Sequence, residues 1–265
     1  LFRDIAQGRI TEQFDPVFFF FCAGATTVYF FAVWIGASLF LKDKSMVGAF
    51  TQGAFRGSQA ILGVAFVQNL YGNAGLVPLM IVASVPLYNI FSVLVLTVTA
   101  PDAQQADHRG LVGKTLRGII TNRSYWVFSR VCRSRSWQST SADAGQGSVH
   151  AGQLRNAYGA AEHRRGLEGA KAIKKLGPTC AAVFIKLVLL SAIFLPMGVA
   201  LGFREQTLVA IVILCGAPST ASGYVMAKNM GGDHVLSSSI IVLSTALSAV
   251  TLTLTLFILR SMALI

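Results

Sequence analysis

The sequence predicts an all-α, polytopic membrane protein, and three observations carry that prediction. Of its 265 residues, 54% are hydrophobic and only 12% charged, with a mean hydropathy of +0.61, whereas soluble domains carry about 25% charged residues. The apolar residues lie in nearly charge-free runs, long enough to cross a bilayer at roughly 20 residues per helix. The positive charge is segregated: 13 of the 22 Lys and Arg fall between Asp102 and Gly177, so most of the net charge of +11 lies in one segment. That distribution does not make a nucleic-acid-binding face.

The elements follow in chain order. Pro16 to Leu41 carries no charge and reads as a span over 16–41. Gly57 to Pro101 is also free of charge, long enough for most of two crossings separated by a turn at Gly72, Asn73 and Gly75. This predicts spans over 46–71, which encloses Arg56, and over 75–100. Pro178 to Phe203 contains Lys186 alone, while Gln206 to Ala227 and His234 to Leu259 contain no charge, predicting spans over 178–203, 206–228 and 234–259. Soluble helices average about 11 residues, so six such runs argue against a soluble bundle.

Lys42 and Lys44 follow the first span, Lys171, Lys174 and Lys175 precede the fourth, and Lys228 follows the fifth. Alternate threading puts all of them on one side, which the bias of Lys and Arg in short loops makes cytoplasmic. The chain thus divides into first-half helices (1–101), a basic cytoplasmic linker (102–177) and second-half helices (178–265). Cys22, Cys132, Cys180 and Cys215 are too scattered for a disulfide framework or a zinc site. The chain begins at Leu1, with no basic-headed cleavable signal before the first span, and is expected to be a fragment lacking its true start.

Two spans carry polar and helix-breaking residues at mid-depth, where a lipid anchor would carry Leu and Val. The second reads FRGSQAILGVAFVQNLYG from Phe55, with Arg56, Ser58, Gln59 and Gly63 deep in the run. The fifth reads CGAPSTASGYVMAKNMGG from Cys215, with Pro218, Ser219, Thr220, Ser222 and Gly223. Broken helices at matched places in two halves point to a transporter site, because freed backbone groups and half-helix ends can hold a solute at the midplane. The alternative is close helix packing through small residues.

At these residues, and in GGDHVLSSSIIVLSTALSAVTL from Gly231, the sequence resembles the auxin efflux carrier family, over Phe14–Asn122 and Gly166–Ile265. The resemblance implies two inverted five-helix repeats with the fourth and ninth helices broken and crossing at the substrate site. The six spans would then be the third, fourth, fifth, eighth, ninth and tenth of ten. Many members hold a proline at the fourth-helix break, where this chain has Ala65 after Gly63. In the ninth, Pro218 is kept, and Gly223 replaces a second proline common in plant members. Glycine still permits an irregular backbone.

Two helices expected between Ala100 and Gly177 are missing. From Arg123 to Arg165 the chain turns rich in Arg, Ser, Gly, Gln and His without periodicity. Restoring one base after Asn122 turns RSYWVF into proline, two apolar residues, leucine, glycine and another apolar residue, the start the family shows for its sixth helix. Residues 123–165 therefore read as a frame-disrupted segment, with an authentic disordered or lipid-binding loop as the alternative.

Among residues that could carry chemistry, Arg56 stands first, since a mid-span cation needs protein, water or an anionic substrate to face, and a carboxylate suits a guanidinium. The resemblance places Ser58 and Gln59 near the substrate residues of the fourth helix and Ser219, Thr220 and Ser222 near those of the ninth. Gly63, Pro218 and Gly223 are expected to shape the broken backbone. Lys186 is expected to snorkel to the cytoplasmic face and Asp15 to cap the start of the first span. No metal, nucleotide or catalytic motif occurs, so no cofactor and no enzymatic activity are expected.

The expected function is a secondary active transporter, an efflux carrier for small organic anions such as carboxylates, in a bacterial inner membrane. Its expected partners are that anion and the lipid bilayer, with a homodimer left open and nucleic acid excluded. The alternatives are a membrane anchor whose basic loop binds lipid or a partner, and a non-functional transporter remnant.

Overall fold

The computed structural model describes residues 14–99 and 175–265. Most of the linker, including the frame-disrupted reading of 123–165, lies outside the described residues, as do residues 1–13. Every regular element among the described residues is a helix, which agrees with the all-α polytopic class.

Helix α1, Pro16–Phe40, starts where its sequence gives it a cap. Asp15 Oδ1 accepts the amides of Val17 at 2.9 Å and Phe18 at 3.1 Å, and Pro16 needs no acceptor for a missing N–H. A short 3-10 turn, Lys44–Met46, leads into α2, Val47–Phe55, and α3, Gln59–Tyr71, follows after a gap of three residues. Helix α3 stops at Gly72, whose φ of 75° is the left-handed cap that glycine supplies. The predicted turn forms there, with Asn73 Oδ1 accepting the Gly75 amide at 3.0 Å. Helix α4, Val77–Thr99, closes the first half.

The second half repeats this order with α5, Leu176–Ala200, the pair α6, Glu205–Gly216, and α7, Ala221–Asn229, and then α8, His234–Ser261. Helices α1, α4, α5 and α8 are each long and apolar enough to cross a membrane. Large side chains on their outer faces stay exposed, among them Phe20, Phe40, Val242 and Phe257. Lipid is the solvent that suits such surfaces.

Two ends of the bundle can be told apart. At one, Lys175 pairs with Asp233, joining the starts of α5 and α8. The Ser45 hydroxyl and amide, helped by Lys175, hold the nearby Asp43 carboxyl below the usual carboxylate range. At the other, Phe203 packs edge-on against Phe18 and Phe21, and the Glu205 amide donates to the Leu264 carbonyl at 3.0 Å. Helices α1 and α5 therefore start at opposite ends, as an inverted repeat requires.

The core lies between the halves and centres on α6, where every residue from Leu208 to Gly216 is buried. Phe55, Tyr29 and Tyr88 fill the space beside it, the two tyrosines sharing a hydrogen bond between α1 and α4.

Candidate functional site

The gap between α2 and α3 and the gap between α6 and α7 meet each other. Gly57 and Ser219 form an antiparallel β-bridge, and the Ser58 amide donates to the Pro218 carbonyl at 2.8 Å. Each broken strand of backbone thus meets groups that the other leaves unpaired, which is how non-helical chain survives at membrane depth. The seam is reinforced from both sides: Ser219 Oγ donates to the Gly53 carbonyl at 2.6 Å, and Ser244 Oγ accepts the Ser219 amide at 3.1 Å.

The breaks do not fall where glycine was expected to make them. Gly63 lies inside α3, where an added Cβ would stand 3.0 Å from Val77 and 3.5 Å from Ile213 and Met80, so it serves close packing. Gly223 lies inside α7. The residues flanking the gaps, Arg56 and Thr220, are in ordinary extended conformations, so pairing between the two segments, rather than glycine strain, keeps them out of the helix.

A small cleft opens at this crossing, lined by Gln52, Gly53, Arg56, Ser219, Thr220, Gly223, Tyr224, Ser237 and Ile241. Arg56 supplies its charge. Its Nη2 donates to Asn89 Oδ1 at 2.9 Å, and its Nη1 to Ser92 Oγ at 3.3 Å and Met226 Sδ at 3.0 Å. All three partners are neutral. The carboxylates among the described residues are Asp15, Asp43, Glu205 and Asp233, and each lies beside a helix start near one end of the bundle.

The start of α7 adds a second attraction for negative charge. Thr220 occupies its N-cap position, yet its side chain caps nothing and bonds instead to Ser222 Oγ at 2.9 Å. The Gly223 amide turns back to the Thr220 carbonyl at 3.0 Å, leaving the amides of Ala221 and Ser222 as the open donors of this helix end. Gln52, 2% exposed, brings an amide whose oxygen has no hydrogen-bond partner. It lies against the Gly223 position, with Oε1 3.8 Å from where a Cβ there would be.

Of the predicted site residues, the cleft brings together Arg56, Ser219, Thr220 and Gly223. Ser58 and Pro218 belong to the backbone seam, and Ser222 is exposed on the first turn of α7. Gln59 is fully buried with its amide nitrogen 2.5 Å from Ser84 Oγ, and Gly63 is a packing residue. Gln52 was missed by sequence reasoning; its signal is a position one turn before Arg56 on the same helix face. Lys186 does not snorkel. Its side chain is 1% exposed, and Nζ points at the Phe55 carbonyl, 3.4 Å away, at the inner end of α2. The physical reason is a turn of π-helix, Ile185–Leu189, that carries the lysine; such turns reset which face a side chain takes.

Residues 161–256 match a family model described as membrane transport protein. That match covers α5 to most of α8, including the second break and its cleft residues. No curated protein matches the chain.

Proposed function

We propose that the chain is a secondary carrier for small organic anions, exporting carboxylates through the cleft at the crossing, a reading supported by the match of residues 161–256 to the auxin efflux carrier-type membrane transport family. The observation that carries this reading is Arg56, a guanidinium at mid-span whose partners are all neutral. A mid-span cation costs about 2.5–3.5 kcal/mol on insertion scales. An arriving carboxylate offsets that cost and takes two parallel hydrogen bonds from the guanidinium.

The neutral donors complete the cradle. The open amides of Ala221 and Ser222 sit at the positive end of α7, and Thr220 lines the same cleft. The family is one of transporters rather than enzymes, and the reading needs no covalent step. Alternating access would move the crossing segments against the rest of the bundle. Export as the direction and a bacterial inner membrane as the location are parts of the same proposal, taken from the family resemblance.

The test is uptake and counterflow of labelled mono- and dicarboxylates in proteoliposomes containing the full chain. Arg56→Gln is expected to lower transport about 10- to 100-fold, the worth of a charged hydrogen-bond pair, with insertion into the membrane unchanged. Equal transport by Arg56→Gln and wild type across the panel would remove the guanidinium from the site.

A further inference from the structure

A second cation stands at the crossing, and the anion cleft does not use it. The Lys186 ammonium is buried next to the bare Cα of Gly57. A Cβ placed there would lie 3.2 Å from Gln59 Oε1, 3.3 Å from Lys186 Nζ and 3.4 Å from the Ala217 carbonyl oxygen. The Phe55 carbonyl, 3.4 Å from Nζ, completes the set. Two of these oxygens belong to helix ends: Phe55 is the last residue of α2, and Ala217 follows the last residue of α6. The negative end of α2 thus meets the ammonium directly, and the end of α6 borders the same Gly57 position.

The third oxygen makes the set unusual. Gln59 is fully buried, its amide nitrogen is spent on Ser84, and its Oε1 has no hydrogen-bond partner. Carbonyl and amide oxygens without donors, gathered at broken-helix ends, are the groups with which inverted-repeat carriers hold a coupling cation. The four carboxylates among the described residues lie elsewhere, so the ammonium is neighboured by dipoles and by the Cys215 thiol rather than by an acidic partner.

We propose that the Lys186 ammonium is the resident cation of the crossing, held by the Phe55 carbonyl beside the Gly57 position that the oxygens of Gln59 and Ala217 also border, so that the two half-helix ends are kept together without sodium or any other metal cation. Three features serve this role. The π-helical turn aims the lysine inward, the absence of a Cβ at Gly57 leaves room for its Nζ, and the unpartnered Gln59 oxygen gives it an acceptor to reach.

The inference rests on the geometry of the crossing and not on the anion reading. Its test is the melting temperature of the purified full chain in choline chloride and in sodium chloride at equal ionic strength, with no carboxylate added. Wild type is expected to melt at the same temperature in both salts. Lys186→Ala is expected to melt several degrees lower in choline, with sodium recovering part of the loss by entering the vacated seat. A sodium-dependent rise in wild type would overturn the proposal, as would a Lys186→Ala protein that melts like wild type in choline or is lowered equally in both salts. Lys186→Met, which keeps the apolar stem, stands in if the alanine variant is not recovered, with the same expectations. Because no anion is present, this result is separate from the transport result at Arg56.

Discussion

In the first half the helix breaks over Arg56, Gly57 and Ser58; in the second it breaks over Ala217, Pro218, Ser219 and Thr220. The backbones match closely enough to pair as a bridge, but the side chains divide the work. The first break supplies the cation for the cleft and the glycine that admits Lys186. The second supplies the uncapped start of α7 and a serine that clamps the seam. Two copies of one architecture thus form one polarised crossing, with carbonyl ends around an ammonium and amide ends beside a guanidinium.

The division predicts that equivalent substitutions in the two breaks will have unequal effects. The largest is expected at Gly57. Gly57→Val adds atoms against Lys186 Nζ, Gln59 Oε1 and the Ala217 backbone. Overpacking costs about 1–3 kcal/mol, so the melting temperature in detergent should fall by several degrees. A Gly57→Val protein as stable as wild type would mean that the two segments are not in close contact.

Next comes Ser219→Ala. It deletes the 2.6 Å hydrogen bond to the Gly53 carbonyl and leaves that buried carbonyl without this donor. About 1 kcal/mol is expected, or roughly 2–4 °C in melting temperature for a chain of this size. The Ser219 amide keeps its bond to Ser244, which limits the loss. No change would show that the hydroxyl is not what holds the second break to α2.

At Gly223 the sign reverses. The position is helical, and an added Cβ would find its nearest neighbour, the Gln52 side chain, at an ordinary 3.7 Å. Replacing a helical glycine by alanine recovers up to about 1 kcal/mol, so Gly223→Ala should melt slightly higher. Since it narrows the cleft beside Gln52, it should also weaken transport of longer carboxylates more than shorter ones. A drop in melting temperature would restore this glycine as a point of irregular backbone.

These contrasts mark how far the sequence could be read. The existence of two broken spans was legible, because Arg, Ser, Pro and Gln at mid-depth are costly and need partners. Asp15 as a cap and the Gly72 to Gly75 turn were legible for a local reason, since their chemistry is settled within four residues. The residue at which each helix yields was less so. Gly63 and Gly223 drew attention by backbone freedom, while the breaks form where the two segments hydrogen-bond to each other, a property of the pair. Lys186 was misjudged similarly: eight residues into a span, a lysine can snorkel, but a π-helical turn and the Phe55 carbonyl, far away in sequence, hold it inward. Gln52 carried no local signal beyond its spacing from Arg56.

The smallest expected effect sharpens the comparison most, because the two serines look alike in the sequence and both lie in the breaks. Ser58 contributes to the seam through its backbone: its amide donates to Pro218, and its carbonyl accepts the Leu62 amide at 3.2 Å. Its hydroxyl caps nothing at the start of α3. Ser58→Ala leaves both backbone bonds in place and should change the melting temperature by less than the equivalent of about 0.5 kcal/mol, as for surface positions without special contacts. Carboxylate transport should also stay within about twofold of wild type, since Ser58 is outside the cleft. The informative measurement is the pair, Ser58→Ala beside Ser219→Ala, in one assay. If Ser58→Ala costs as much as Ser219→Ala in either stability or transport, the hydroxyls act symmetrically and the proposed division between the halves fails. If only Ser219 is sensitive, the first break acts through charge and close backbone approach, and the second through its side-chain hydrogen bond.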